Sequence, residues 1–220
     1  LNDRIIQERD LEASRVTLFH AVTLAGDYLD DSGSSRGISN SADLGLLLQA
    51  RSENDVAVTG GGTARAEKLN STARCSICLV SNSLNTLSLP LLKPAEGHKV
   101  LLASSNPSLL AAASKQTVVE CITLIDGLPL AKQLVESLRS RGFKRILLEG
   151  GPQLIQAFSS DGSINEVHLT VTGSRSKMTL EEAHAFVGGI SYLPRSSDSL
   201  TLNFDGLNNY LVWLPSGVAA

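Results

Sequence analysis

Pro129-Leu-Ala-Lys-Gln-Leu134-Val-Glu-Ser-Leu138-Arg-Ser-Arg-Gly142-Phe-Lys-Arg145-Ile-Leu-Leu148-Glu149-Gly150-Gly151-Pro152-Gln-Leu154 is the stretch that decides the fold class. Its first half sets Leu130, Ala131, Leu134, Val135 and Leu138 on one face of a helix expected from Pro129 to Arg141. Pro129 suits the first turn and Gly142 the exit. The run Arg145–Leu148 has no polar alternation, so it reads as a strand covered on both faces. Two glycines and Pro152 then turn the chain into another helix. Helix, doubly buried strand and helix again form the repeating unit of an α/β sheet.

The same alternation extends outward. Val16–Leu24, Asp55–Thr59, Cys75–Val80, Lys99–Ala103, Thr117–Leu124 and Glu166–Thr172 read as strands, with helices over Asp43–Arg51 and Pro107–Lys115. Leu200–Phe204 and Asn209–Leu214 are separated by Asp205-Gly206, too short a link for a helical crossover, so an antiparallel pair is expected there. The expected architecture is α/β, three-layered, with a mostly parallel central sheet, helices on both faces and an antiparallel C-terminal strand pair. Residues 1–14 read as an arm and 15–220 as one domain. Ser32–Ser41, rich in glycine and serine, reads as a mobile loop.

The 220 residues carry 42% hydrophobic and 19% charged side chains, enough apolar material for one core. A formal net charge of -3 gives no reason to expect nucleic acid. No apolar run approaches the roughly 20 residues that a bilayer requires, and Leu1-Asn2-Asp3-Arg4 lacks the apolar run of a secretory signal. Three cysteines suit a reducing cytoplasm. Cys75-Ser-Ile-Cys78 has the C-x-x-C form, but strand geometry sends the two thiols to opposite faces, so neither a metal nor a redox role is expected. His20, His98, His168 and His184 are scattered; His20 and His168 alternate with apolar strand residues, as core or cleft histidines do.

Two glycine clusters carry the chemistry: Gly60-Gly61-Gly62-Thr63 after one strand and Gly150-Gly151-Pro152 after another. A strand leaving through glycine into a helix aims free backbone N–H groups and the helix's positive end at one spot, which suits phosphate. Such turns also serve as plain tight strand exits. Arg65 is a candidate phosphate contact or a solvated arginine. The third glycine of the dinucleotide fingerprint, the phosphate-binding G-x-x-x-x-G-K-[ST] and the G-x-S-x-G elbow are all missing.

Glu149-Gly-Gly-Pro-x-Leu154 followed by Asn165-Glu-Val-His-Leu-Thr-Val171 resembles segments of the riboflavin-pathway pyrimidine reductases, the reductase half of the bifunctional deaminase-reductase. Ile38-Ser-Asn-Ser-Ala-Asp43 resembles that family's helix start. Ala50-Arg51 with Asn54-Asp55-Val-Ala-Val-Thr-Gly60-x-Gly-Thr63 resembles its following strand and turn. The resemblance spans about Val16 to Thr172. It implies a dihydrofolate-reductase-like fold, a cytoplasmic homodimer and NADPH lying along Gly60, Gly61, Gly62, Thr63, Arg65, Ser81, Gly150, Gly151, Pro152 and Leu154. It also implies hydride transfer to the sugar C1′ of a ribosylamino-pyrimidine phosphate. Glu149 would hold or polarise that substrate, with Thr23 and Asn40 as further substrate-side candidates.

The departures are specific. The family's S-l-D-G stands here as Thr23-Leu-Ala25-Gly26, without the carboxylate, although Asp27 follows. Lys68–Arg74 reaches the next strand with almost no substrate loop. The deaminase zinc motifs are absent. A reductase of the same fold acting on another carbonyl or imine, and a catalytically silent NADPH-binding dimer, therefore stand beside the pyrimidine reductase.

Overall fold

The computed structural model describes residues 14–31, 33–70, 74–92, 100–116 and 118–215. The expected arm lies outside these residues save Ser14, and so do Ser32, His98, Lys99 and Thr117.

Chain order runs β1 (Arg15–Thr23), α1 (Ser41–Glu53), β2 (Val56–Gly60), α2 (Gly61–Ala66), β3 (Ser76–Val80), β4 (Val100–Ser104), α3 (Pro107–Ala113) and β5 (Val119–Thr123). It continues with α4 (Leu130–Arg139), β6 (Arg145–Leu148), α5 (Pro152–Ser160), β7 (Glu166–Thr172), α6 (Leu180–Gly189), β8 (Thr201–Phe204) and β9 (Asn209–Trp213). All nine strands form one sheet of order β5-β4-β3-β2-β6-β1-β7-β9-β8. From β5 to β7 every pairing is parallel, and β9 runs antiparallel to both β7 and β8. The carboxyl ends of the parallel strands therefore share one rim.

Both faces are covered, as the continuous Val/Ile/Leu runs require. On one side, Val16, Leu18, Val58, Ile146 and Leu148 meet Ala131, Leu134 and Leu138 of α4, Ile155 and Phe158 of α5, and Ala183 and Val187 of α6. On the other, Phe19, Ala57 and Leu147 pack under Leu47 and Ala50 of α1. Farther along that face, Ile77, Leu79 and Leu102 lie with Ala64 of α2 and Leu109 and Ala113 of α3. Each fully buried leucine contributes about 1.5–3 kcal/mol. Cys75 sits on the α1 side and Cys78 in the opposite core, as the strand register demands. Burial pushes their thiols up to about 11 and about 12, where they are poor nucleophiles.

The β2–β6 register matters most for the site. Asp55 accepts backbone N–H bonds from Lys144 (2.9 Å) and Arg145 (2.8 Å) and is clamped by the Arg145 guanidinium at 2.7 Å. That clamp sets Val56 against Ile146 and Val58 against Leu148, which brings the two glycine exits level on adjacent strands.

Two features differ from expectation. Thr179 and Glu182 form a capping box that starts α6, a helix that no apolar stripe announces. The loop expected to be mobile is docked: Glu67, at the end of α2, accepts from Ser34 Oγ (3.1 Å) and Ser35 N (2.6 Å) and pairs with Arg36. Among the described residues, no helix is long and apolar enough to cross a membrane.

Candidate functional site

Both glycine exits stand on the carboxyl rim, on neighbouring strands. Gly60 closes β2 opposite Val80 of β3, so Gly61 comes beside Ser81. A Cβ on Gly61 would lie 2.6 Å from Ser81 Oγ and 3.4 Å from Arg65 Nη1. A Cβ on Gly151 would lie 3.3 Å from Thr63 Oγ1, so the second turn faces the first. Gly60 to Thr63, Ser81 and Gly150 to Leu154 are thus brought together from three strands. Arg65 is exposed at their edge.

The second turn is the sharper. Gly151 caps α5 with φ −67° and ψ 170°, and Pro152 occupies the first turn, where its missing N–H costs nothing. In the first turn of α5, Pro152 has no N–H and Leu154 N already donates to Gly151 O at 3.0 Å, so the Gln153 N–H and the positive end of the helix are what this turn presents to the rim. Gly150 has a different reason to be glycine: a Cβ there would collide with Leu154 Cδ2 at 2.6 Å and Leu154 Cβ at 2.8 Å.

Glu149 stands at the exit of β6, its backbone N–H bonded to Val58 O at 2.9 Å. Its side chain alternates with Leu147 onto the α1 face and meets Arg51, a residue 98 positions away that local pattern does not connect to it. The guanidinium engages both oxygens, Nε to Oε1 and Nη2 to Oε2, each at 2.6 Å. The two side chains are 14% and 9% exposed, so this is a largely buried bidentate pair. Burial works against the Arg51 charge, but the hydrogen bonds and charge of Glu149 outweigh it and raise its pKa. What Glu149 offers a ligand is therefore the outer lone pairs of a carboxylate already fixed in orientation. Beside it on β2, the buried Thr59 hydroxyl has no hydrogen-bond partner among the described residues.

Thr23 and Asn40 have other duties. The Thr23 hydroxyl accepts from Ala25 N and Asp27 N and donates to Asp27 Oδ2 at 3.3 Å, closing a turn in which Gly26 has φ +85°. Asn40 caps α1 through Oδ1 and donates its amide to Asn208 Oδ1 at 2.9 Å. The Thr23 hydroxyl and one N–H of the Asn40 amide are thus engaged within the fold. Asp27 folds back as the partner of Thr23. Asp43, in the first turn of α1, is buried with Ser39 Oγ on one oxygen and, among the described residues, no hydrogen-bond partner for the other.

On the opposite face, His20 lies two residues beyond Leu18, which pairs with Leu148, and so stands level with Gly150. Its Nε2 is 3.1 Å from Tyr192 Oη, and Tyr28 completes an aromatic cluster. Burial lowers the imidazole to about 4 and, with Tyr28 nearby, raises the Tyr192 phenol to about 12. Both are neutral near pH 7. His168 stacks on Phe19 and faces Glu166, while His184 bonds Ser196. No group of three or more His, Cys, Asp or Glu among the described residues is arranged to hold a metal.

Comparison with known proteins bears on this geometry. Residues 14–174 match the RibD C-terminal domain family. Among solved structures, a pyrimidine reductase-like protein from Corynebacterium diphtheriae is 20% identical, with 91% of each chain covered and a TM-score of 0.65. RibD from Acinetobacter baumannii is 18% identical with a TM-score of 0.68; the match covers 93% of this chain and 59% of that one. The riboflavin biosynthesis reductase Rib7 of Saccharomyces cerevisiae is 16% identical, with 92% and 90% covered and a TM-score of 0.61. No curated protein matches the sequence. The order of strands, the glycine exits and the family match agree, and the chain belongs to the RibD C-terminal domain family.

Proposed function

We propose that the chain is an NADPH-dependent reductase acting on a ribosylamino-pyrimidine phosphate. The observation that carries this reading is the meeting of two glycine exits and Ser81 on one rim, where side chains at Gly61 or Gly151 would intrude. The donor set fits a dinucleotide: the Gln153 N–H and the positive end of α5 for the diphosphate, Thr63 and Ser81 hydroxyls beside them, and Arg65 at the edge. NADPH, when bound, supplies the hydride for C1′ of the sugar.

The protein's own contribution is orientation. Arg51 fixes the Glu149 carboxylate beside the diphosphate turn, where its outer lone pairs can accept from a substrate O–H or N–H. Thr23 and Asn40 shape the rim through the turn and cap they close. Glu149→Gln should retain NADPH affinity and lose about 10²-fold in turnover, because one positioned charge toward the substrate is gone. Loss of NADPH absorbance in the presence of the ribosylamino-pyrimidine phosphate, with the other pathway intermediates as controls, tests the substrate. Ala25, in place of the family's aspartate, favours a second reading: reduction of a different carbonyl or imine on the same rim. Turnover of such an acceptor, with none of the pyrimidine, would establish it.

A homodimer belongs to the same proposal. A groove of about 480 Å³ lies between α1 and the face of β1, β7 and β9, and the exposed Leu46 of α1 forms part of its wall. A second copy seated there would cover Leu46; sedimentation at micromolar concentration is the check.

A further inference from the structure

A second hollow, of about 410 Å³, opens between the end of β1, the chain after β7 and α6. Leu24, which follows Thr23, forms part of its wall, so it lies on the same rim as the glycine exits but beyond β1. Gly173, with φ +74°, turns the chain out of β7, and Ser174 N is tied to Leu207 O at 2.9 Å. Ser174 lines the hollow and is 3% exposed, yet its hydroxyl has no hydrogen-bond partner among the described residues. A buried O–H without an acceptor is unfavourable unless something supplies one.

The neighbouring charge points the same way. Arg175 lines the hollow, is exposed, and forms no ion pair among the described residues. Glu182, the acidic residue of the wall, is turned back on Thr179 N at 2.7 Å by the capping box. Met178, Ala185 and Phe186 supply an apolar side. An orphan donor and an unpaired guanidinium above an apolar wall suit a small molecule with an anionic, acceptor-rich end. Residues 175–186 lie beyond the family match, which ends at Ser174.

We propose that this hollow binds a phosphomonoester through the Ser174 hydroxyl and the Arg175 guanidinium. Its bearer is the substrate's own phosphate, which rests on the reductase reading above, or a separate sugar phosphate, which does not.

Ribose 5-phosphate, with ribose as the uncharged control, is titrated by calorimetry and thermal shift without cofactor. The expected result is saturable stabilisation by the phosphate ester alone. Arg175→Ala should weaken it about 10-fold or more, the equivalent of one charge-assisted hydrogen bond. Ser174→Ala should remove it while the unliganded melting temperature holds or rises, because an unpaired hydroxyl has been deleted. If Arg175→Ala also raises KM for the ribosylamino-pyrimidine phosphate about 10-fold, with kcat and NADPH affinity unchanged, the bearer is the substrate. If KM is unmoved while ribose 5-phosphate binding is lost, the bearer is a separate ligand. Absence of a saturable response in the parent protein, or an undiminished response in both variants, overturns the proposal. Failure of the parent to bind NADPH would instead overturn the reductase reading and leave this result standing.

Discussion

The two glycine exits look alike in sequence and differ in what they stand on. The first, Gly60 to Thr63, opens the six-residue α2 and is backed by a neutral network, in which Ser81 Oγ lies 2.7 Å from Thr86 Oγ1 and accepts from Ser83 N. The second, Gly150 to Leu154, opens the nine-residue α5 and is flanked by the buried Arg51–Glu149 pair on one face and His20 with its two tyrosines on the other. The second turn is backed by a buried ion pair, the first by neutral hydroxyls with Arg65 at its edge. Within each turn, moreover, the glycines differ: a Cβ on Gly61 or Gly150 would strike a neighbouring side chain, whereas Gly62 meets open space and Gly151 only Thr63 Oγ1.

Removing the charge behind the second turn should have the largest effect. Arg51→Ala leaves a largely buried carboxylate without its partner and should cost about 3–5 kcal/mol of stability by denaturant unfolding. No comparable loss is available at the first turn, where Ser81→Ala removes only a neutral hydroxyl, about 1 kcal/mol.

His20 gives the second turn a pH dependence that the first lacks. Its folded pKa, about 4, lies below the ordinary value of 6.5. The unfolded chain therefore takes up the proton first as pH falls, and stability is complete above about 6.5 and lost between there and about 4. The loss amounts to about 3 kcal/mol for a shift of this size. His20→Phe should flatten the melting temperature across that window; an unchanged slope would place the imidazole in contact with solvent.

Glycine substitutions sharpen the contrast further. Gly150→Ala should lose about 1–3 kcal/mol through the clash with Leu154, and Gly61→Ala a similar amount through Ser81. Gly151→Ala is different, since φ −67° suits alanine and only Thr63 Oγ1 is near. Its melting temperature should move little, by under about 1 kcal/mol of stability, while NADPH affinity falls. Gly62→Ala meets open space and should change stability least of all.

The fold was legible because several strands, such as β4 and β6, are nearly continuous apolar runs and α4 carries a clean stripe from Leu130 to Leu138. Helices α2 and α6 were not. The first begins with two glycines, which local propensity disfavours, and is held by Ala64 in the core. The second mixes Glu181, Glu182 and His184 with Gly188 and Gly189, although the Thr179–Glu182 capping box was a readable start signal. The glycine exits could be read from residue type alone. The Arg51–Glu149 fork could not, because a pair 98 residues apart exists only once the sheet register is set, and no periodicity encodes it. Thr23 and Asn40 were named through the family resemblance, and which of their atoms the fold engages depended on Asp27 and Asn208.

Calorimetric titration of NADPH into the parent protein and Gly151→Val, with melting temperatures of both, tests the central claim most directly. The parent should bind, gaining roughly 2.7 kcal/mol of stability at 100 times the dissociation constant. Gly151→Val should unfold cooperatively near the parent's temperature and fail to bind, because its side chain fills the space between the two turns. Absence of NADPH binding to the parent, or equal binding to the variant, would contradict the assignment of the rim as a dinucleotide site.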